Sequence, residues 1–303
     1  MYLKLVKQMN TLTIKDLTKT YPNGVKALNG INLEITNGMF GLLGANGAGK
    51  SSLMRTIASL QEPSSGSILF NETDIVKEPN EVRKQLGYLP QEFGVYPKIS
   101  AEKLLNHMAI LKGILNNKER KEQVTALLQQ VNLYQHRKKA VYTFSGGMRQ
   151  RFGIAQALLA NPQIIIVDEP TAGLDPEESN RFLNLLSEIG ESVIVILSTH
   201  IVEDVRNLCP KMAILSNGEI ISEGNPTELV ASIDGNIWTK IIQKVDVEIY
   251  KKAFNVISTK LVAGETQIRV ISEQKPEAGF DVITPNLEDY YFATLFNQTI
   301  KKG

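Results

Sequence analysis

The spacing of apolar positions changes along this chain and divides it into parts. Over 11–17 and 27–35 apolar and polar residues alternate, as on strands that bury one face, the second with Gly30 inside it. Runs with hardly a polar residue over 39–43, 163–168 and 192–198 predict strands buried on both faces, the pattern of a parallel sheet covered by helices. Shorter strands are expected over 66–70 and 86–89, and helical spacing over 51–59 and 148–160. Residues 101–115 and 118–131 differ: they are amphipathic, with charged faces and no strand signal. They read as a helical subdomain, about 92–145, inserted into an α/β core. An Asn217-Gly218 turn makes 212–221 a hairpin.

After a helix over 226–233 and a break over 234–236, a smaller unit is expected. It has apolar stretches at 237–242, 256–261, 266–271 and 280–283 and a helix over 286–297. The chain therefore divides into a core over 9–234 and an α+β appendage over 235–303. No internal repeat or low-complexity segment is visible.

Composition narrows the class. A chain of 303 residues exceeds one average domain, in keeping with that division. Its 33 basic and 32 acidic residues leave a net charge of +1, which gives no electrostatic footprint for nucleic acid. The single cysteine, Cys209, excludes an intramolecular disulfide framework and cysteine-rich zinc modules; it reads as a small buried side chain near a helix end. No apolar run approaches the length of about 18 residues that spans a bilayer. Residues 1–8 have too short an apolar core for a signal peptide and read as an extension ahead of Met9. A cytoplasmic protein is expected.

The chemistry is concentrated after the first buried run. Gly44, Ala45, Asn46, Gly47, Ala48, Gly49, Lys50 and Ser51 complete a G-x-x-x-x-G-K-S phosphate-binding loop between a strand and a helix, with Ser52 next in that helix. The glycines let backbone N–H groups turn inward on an anion, and the helix start adds its positive end. Lys50 is a mobile charge for the β- and γ-phosphates, and the Ser51 hydroxyl can ligate Mg²⁺. A second buried run ends in Asp168 and Glu169, at the strand edge where α/β sheets bind ligands. Asp168 suits the Mg²⁺ shell; Glu169, one residue on, can act as general base toward water. Upstream, Ser145-Gly146-Gly147 opens another helix and makes a second anion-binding turn. One ATP has one γ-phosphate, so this turn is best explained as completing the site of another copy.

Taken in order, these stretches resemble the ATP-binding-cassette (ABC) ATPases. The signature L-S-G-G-Q of that family corresponds to Phe144-Ser145-Gly146-Gly147-Met148, with Phe for Leu and Met for Gln and the Ser-Gly-Gly intact. The resemblance implies further roles. Tyr21 matches an aromatic that stacks on adenine, and Gln91 the glutamine that bridges Mg²⁺, water and the helical subdomain. Asp175, in Gly173-Leu174-Asp175, matches a loop that crosses to the opposite subunit, and His200 the switch histidine near the attacking water. His107 and His136 match nothing and read as helix-surface residues. The stretch from Pro285 to Phe292 resembles the P-x-L-E-D-x-F ending of ATPases of ABC-2-type exporters, departing at Tyr290-Tyr291.

What the resemblance implies is an ATPase with ATP and Mg²⁺ as ligands, working as a head-to-tail dimer of two copies. It would sit on the inner face of the membrane against a separate membrane-spanning permease, driving export; an importer ATPase and a non-transport ABC ATPase are the alternatives. One phosphate loop speaks against the two-cassette translation proteins. The lack of a heptad run between Ser51 and Ser145 speaks against the chromosome-maintenance type, and the lack of zinc cysteines against the excision-repair type.

Overall fold

The computed structural model describes residues 9–91, 94, 98–171 and 174–302, the side chains of 300–302 excepted. The leader over 1–8, the first residues of the expected insertion and Gly173 lie outside the described residues.

The central element is a six-stranded sheet. It contains β3 (Gly38–Leu43), β6 (Leu86–Leu89), β7 (Ile164–Asp168), β8 (Ile194–Thr199), β9 (Lys211–Ser216) and β10 (Glu219–Gly224). The order is β10-β9-β3-β8-β7-β6, parallel throughout except for β10, which returns from β9 through the Asn217-Gly218 turn. The apolar runs account for this placement. Each central strand sends alternate side chains to opposite faces, and both faces are covered. Ile164 and Ile166 of β7 enter one core with Phe40, Leu42 and Ile196, while Ile165 and Val167 enter a second with Leu43 and Leu197.

The first core lies between this sheet and a four-stranded antiparallel one of order β2-β1-β4-β5. Its strands are β1 (Thr11–Thr20), β2 (Lys26–Thr36), β4 (Ser65–Phe70) and β5 (Thr73–Asp74), and α1 (Lys50–Ile57) is buried with them through Leu53, Met54 and Ile57. The short α2 (Pro79–Gln85) leads into β6. The second core carries the helices α3 (Ala101–Leu111), α4 (Asn117–Gln130), α5 (Gly146–Ala157), α6 (Pro176–Gly190) and α7 (Val202–Leu208).

Boundaries moved where turn geometry outweighed periodicity. α3 stops at Leu111 because Gly113 is left-handed at φ 89°, and Lys112 turns back to donate to the carbonyls of Arg83 (2.9 Å) and Leu86 (2.7 Å). α5 begins at Gly146, capped by Ser145, and closes before left-handed Ala160 and Asn161. The charged face expected of the second helix holds an exception. Arg120 is buried and donates to Asn106 Oδ1, to the Ile114 and Leu115 carbonyls and to Asn117, tying the turn between α3 and α4. His107 is exposed on α3, whereas His136 is half-buried in a single 3₁₀ turn. Cys209 is buried after α7, its thiol pushed up to about 12 by burial.

The residues after α8 (Pro226–Ala231) form another four-stranded antiparallel sheet, of order β12-β13-β11-β14. Its strands are β11 (Ile237–Ile242), β12 (Val256–Val262), β13 (Glu265–Ile271) and β14 (Asp281–Val282), with α9 (Val247–Ala253) packing Tyr250 and Phe254 against Phe280 on one face. The other face holds Ile237, Ile257 and Ala293 of α10 (Leu287–Lys302). α10 is fixed at its start by a reciprocal cap, Asp289 N–H to Asn286 Oδ1 and Asn286 N–H to Asp289 Oδ2, both at 3.0 Å. The Asp289 carboxylate, 1% exposed, receives Arg269 Nη1 of β13 at 2.6 and 2.7 Å.

Removing one partner of a buried pair leaves the other charge unanswered, at a cost of about 3–5 kcal/mol. Asp289→Ala is expected to lose stability near the lower end of that range, since Arg269 keeps some contact with water. The urea midpoint reported by Trp238, the chain's single tryptophan and a residue of β11, measures it. An unchanged midpoint would show that the pair does not hold the helix.

Candidate nucleotide-binding site

The loops that carry Lys50, Glu169 and His200 leave the C-terminal ends of parallel strands. β3 runs into the phosphate loop, β7 ends at Asp168, and β8 ends just before His200. β3 and β7 lie on either side of β8, so the sheet sets the two apolar-run motifs one strand apart. Between them opens a cavity of about 500 Å³, lined on one side by Asn46, Gly47, Gly49, Lys50, Ser51 and Ser52 and on the other by Gln91 and Glu169. Tyr21 closes one end, its hydroxyl accepting or donating at Ser52 Oγ (3.1 Å) and donating to Gln61 Oε1 (3.0 Å).

The loop's shape depends on its glycines. Gly49 caps α1 at φ 111°, and a Cβ there would stand 2.4 Å from the Ala27 carbonyl oxygen. A Cβ on Gly44 would stand 2.5 Å from the Leu215 carbonyl oxygen. Gly47 is also left-handed, at φ 81°, but faces open space. Ala48 is buried behind the loop, and its carbonyl accepts the Gly218 N–H at 2.9 Å.

Glu169 is where the motifs meet. Its backbone is left-handed at φ 47°, and its N–H is held by the Ser198 carbonyl of β8 at 2.8 Å. That conformation aims the carboxylate sideways out of the strand. Oε1 lies 3.3 Å from Lys50 Nζ and 3.2 Å from His200 Nδ1, and Oε2 accepts Gln91 Nε2 at 3.3 Å. Lys50, 5% exposed, also donates to the Gly44 and Ala45 carbonyls at 2.7 and 3.2 Å. Asp168 lies behind this group, 3% exposed, and its Oδ1 has no hydrogen-bond partner among the described residues. Burial and the Asp168 charge together push the Tyr88 phenol up.

The signature turn stands elsewhere. Ser145 and Gly146 are exposed and do not line the cavity; Ser145 Oγ accepts the Met148 N–H at 3.3 Å, capping α5. Buried Gly147 packs on α6, where a Cβ would meet Glu178 Oε2 at 2.7 Å, and Arg151 reaches Glu178 at 3.3 Å. Asp175 caps α6 from within the chain, Oδ1 accepting the Glu178 N–H at 2.9 Å.

A phosphate loop, an acidic strand end and a separately presented Ser-Gly-Gly helix start are thus carried by one fold, and known proteins share it. Residues 28–172 match the family model described as ABC transporter. The linearmycin resistance ATP-binding protein LnrL of Bacillus subtilis (strain 168) is 35% identical over 228 residues, covering 74% of this chain and 72% of that protein. This chain belongs to the ABC transporter ATP-binding proteins. The methionine import ATP-binding protein MetN 1 of Oenococcus oeni (strain ATCC BAA-331 / PSU-1) is 34% identical over 232 residues, 73% of this chain and 65% of that protein. Among solved structures, the ATP-binding cassette MJ0796, a dimer in a post-hydrolysis state bound to ADP and Pi, superposes with a TM-score of 0.65 at 28% identity. It covers 71% of this chain and 98% of that one. The chain is accordingly an ATP-binding, ATP-hydrolysing transporter subunit, and none of its helices among the described residues is long and apolar enough to cross a membrane.

Sequence reasoning missed part of this ABC subunit's cavity wall. Val25, Lys26, Ala27, Asn217 and Gly218 line it, although the last two read only as a hairpin turn. The signal was available: Asn-Gly ends β9, the strand that pairs with β3. A further polar contact, Thr171 Oγ1 to Asp204 Oδ2 at 2.8 Å, links the loop after Glu169 to α7, and burial pushes the Asp204 carboxyl up.

The two loop glycines separate conformation from packing. Gly47→Ala is expected to cost about 1–2 kcal/mol, the strain of an L-residue in the left-handed region. Gly49→Ala adds a backbone clash and should cost more and weaken ATP binding further. Melting temperature and ATP titration of both variants decide this; equal effects would refute the clash.

Proposed function

We propose that the chain hydrolyses ATP at a site shared between two copies and so drives export through a separate membrane-spanning permease. The convergence of Lys50, Gln91 and His200 on the Glu169 carboxylate carries this reading. Phosphates would lie on the amides of Gly44–Ser51, with Lys50 exchanging its loop carbonyls for phosphate oxygens and the adenine against Tyr21. Glu169 accepts the proton of the attacking water, and its low exposure leaves few competing waters. His200 Nδ1 and Gln91 Nε2 hold the carboxylate from two sides, so it is aimed before water arrives.

The residues also suit Mg²⁺. The unpartnered buried Oδ1 of Asp168 is a hard oxygen acceptor, and Ser51 and Gln91 supply the neutral oxygens such an ion takes. When bound, the ion neutralises charge on the phosphate oxygens.

Exposed Ser145 and Gly146, with buried Gly147 behind them, suit a γ-phosphate presented by a second, head-to-tail copy; Asp175 borders that surface. Closure then depends on phosphate charge and relaxes after hydrolysis. An apolar groove of about 350 Å³ between the helical subdomain and the core suits the permease; it holds Met108 and Tyr88, with Leu60 and Leu111 exposed at 61% and 75%. β6 forms its floor and leads to Gln91, so a partner seated there and the catalytic carboxylate are joined by one strand. That partner would place the subunit peripherally on the inner face of the membrane. The names of relatives do not fix direction, since one is an import protein; export rests on the Pro285–Phe292 resemblance. The neighbouring reading frames test it, a permease alone favouring export and a solute-binding protein import.

Glu169→Gln should lower phosphate release by about 10²–10⁴-fold while ATP still binds; release within tenfold of wild type would sink the base assignment. Lys50→Ala should lose ATP binding itself. In size-exclusion chromatography, Glu169→Gln should dimerise with ATP and not with ADP. Mixing Ser145→Arg with Lys50→Ala subunits places both defects in one interface and leaves the other intact, so activity should return. Full activity of Ser145→Arg alone would remove the signature turn from the mechanism.

A further inference from the structure

α1 is followed by a turn that folds the chain back along the helix. Ser59 is left-handed at φ 52°, and the Leu60 N–H donates to the Arg55 carbonyl at 2.9 Å, the closing bond of a Schellman turn. Gln61 therefore returns to the side of α1. Its Nε2 donates to the Ser52 carbonyl and to Thr56 Oγ1, both at 2.9 Å, while the Thr56 hydroxyl itself donates to the Ser52 carbonyl at 2.7 Å. Thr56 is buried, and Ser52 and Gln61 are half-buried.

A carbonyl can only accept, which fixes the amide: Nε2 faces α1, and Oε1 accepts the Tyr21 hydroxyl at 3.0 Å. The phenol has one hydrogen, and it is spent on Gln61. Ser52 Oγ, 3.1 Å from the same phenol oxygen, is then the donor of the second bond. The backbone of Tyr21 is held separately, within its own turn, by its N–H to the Val25 carbonyl at 2.9 Å. Lys19 Nζ stands over the ring, 5.5 Å from its centre, and donates to the Glu62 carbonyl at 2.6 Å. Tyr21 is part of the cavity wall and Lys19 is not, so the other face of the ring is the one a base can reach.

We propose that Gln61 is a positioning residue for the nucleotide base: it ties the Tyr21 ring to α1, the helix that begins at Lys50, and so sets the distance between base platform and phosphate cradle before ATP arrives. This rests on reading Tyr21 as the adenine platform. A ring free to turn loses that freedom on binding, which subtracts from affinity; a ring already tied does not. Gln61 belongs to no motif, and it meets Tyr21 across 40 residues of chain.

Gln61→Leu keeps the bulk and removes the amide, while Thr56 still satisfies the Ser52 carbonyl. In the full-length chain, ATP binding should weaken about 2- to 10-fold, the range for one hydrogen bond. Inorganic triphosphate, which has no base, should bind this variant as it binds wild type. Tyr21→Phe should also weaken ATP binding, and adding Gln61→Leu to it should cost nothing further, since the bond is already gone. Tyr21→Ala, which removes the ring, should lose more than either. Wild-type ATP affinity in Gln61→Leu, an equal loss for inorganic triphosphate, or additive losses in the double variant overturns the proposal. Should Tyr21→Ala bind ATP as wild type does, the platform reading fails, and the proposal with it.

Discussion

A lysine ammonium that is 5% exposed must be answered at close range, and here the answer is the Glu169 carboxylate at 3.3 Å with two loop carbonyls. The rest of the site is arranged around that pair. Glu169 reaches Lys50 because its backbone is left-handed, a conformation an L-residue holds only when its surroundings insist. The Ser198 carbonyl, one strand over, supplies that insistence. His200 and Gln91 then meet the same carboxylate from other elements, so one side chain links the phosphate loop, β7, β8 and the end of β6.

Such convergence needs a rigid frame. The parallel strands are buried on both faces, so their polar ends emerge only at the C-terminal edge, where the loops gather. Two apolar cores clamp the sheet, and the close approach of α7 to β3 is possible because Gly41 has no side chain; a Cβ there would stand 2.7 Å from Val205 Cγ1. The same rigidity keeps Ser145 away from the cavity of its own chain. Gly147 and Arg151 lock the signature helix to α6, so the turn points outward as a surface rather than inward as a ligand.

The appendage is joined to this frame by α10, which contributes to two cores. Ala293 belongs to the appendage cluster, while Leu287 and Tyr291 belong to the core that also covers β3. Packing of this kind seats the terminal helix on the same core that covers β3.

Read in order, the chain makes the strands of the central sheet, the Gly44–Ser51 loop, the Asp168-Glu169 strand end and the helices between Gln91 and Ser145 legible. Each is encoded locally, by unbroken apolar runs, glycine spacing or helical period, and local physics is what periodicity reports. It did not announce α6, whose start is an Asp175-Pro176 cap, or the burial of Arg120, whose partners in α3, in the following turn and in α4 are gathered only when those two helices pack together. That Lys50, Gln91 and His200 meet at the Glu169 carboxylate, and that Asn217-Gly218 walls the cavity, follows from the tertiary structure alone. Those contacts join residues from separate strands and helices, and a chain read in order carries no record of which strand lies beside which.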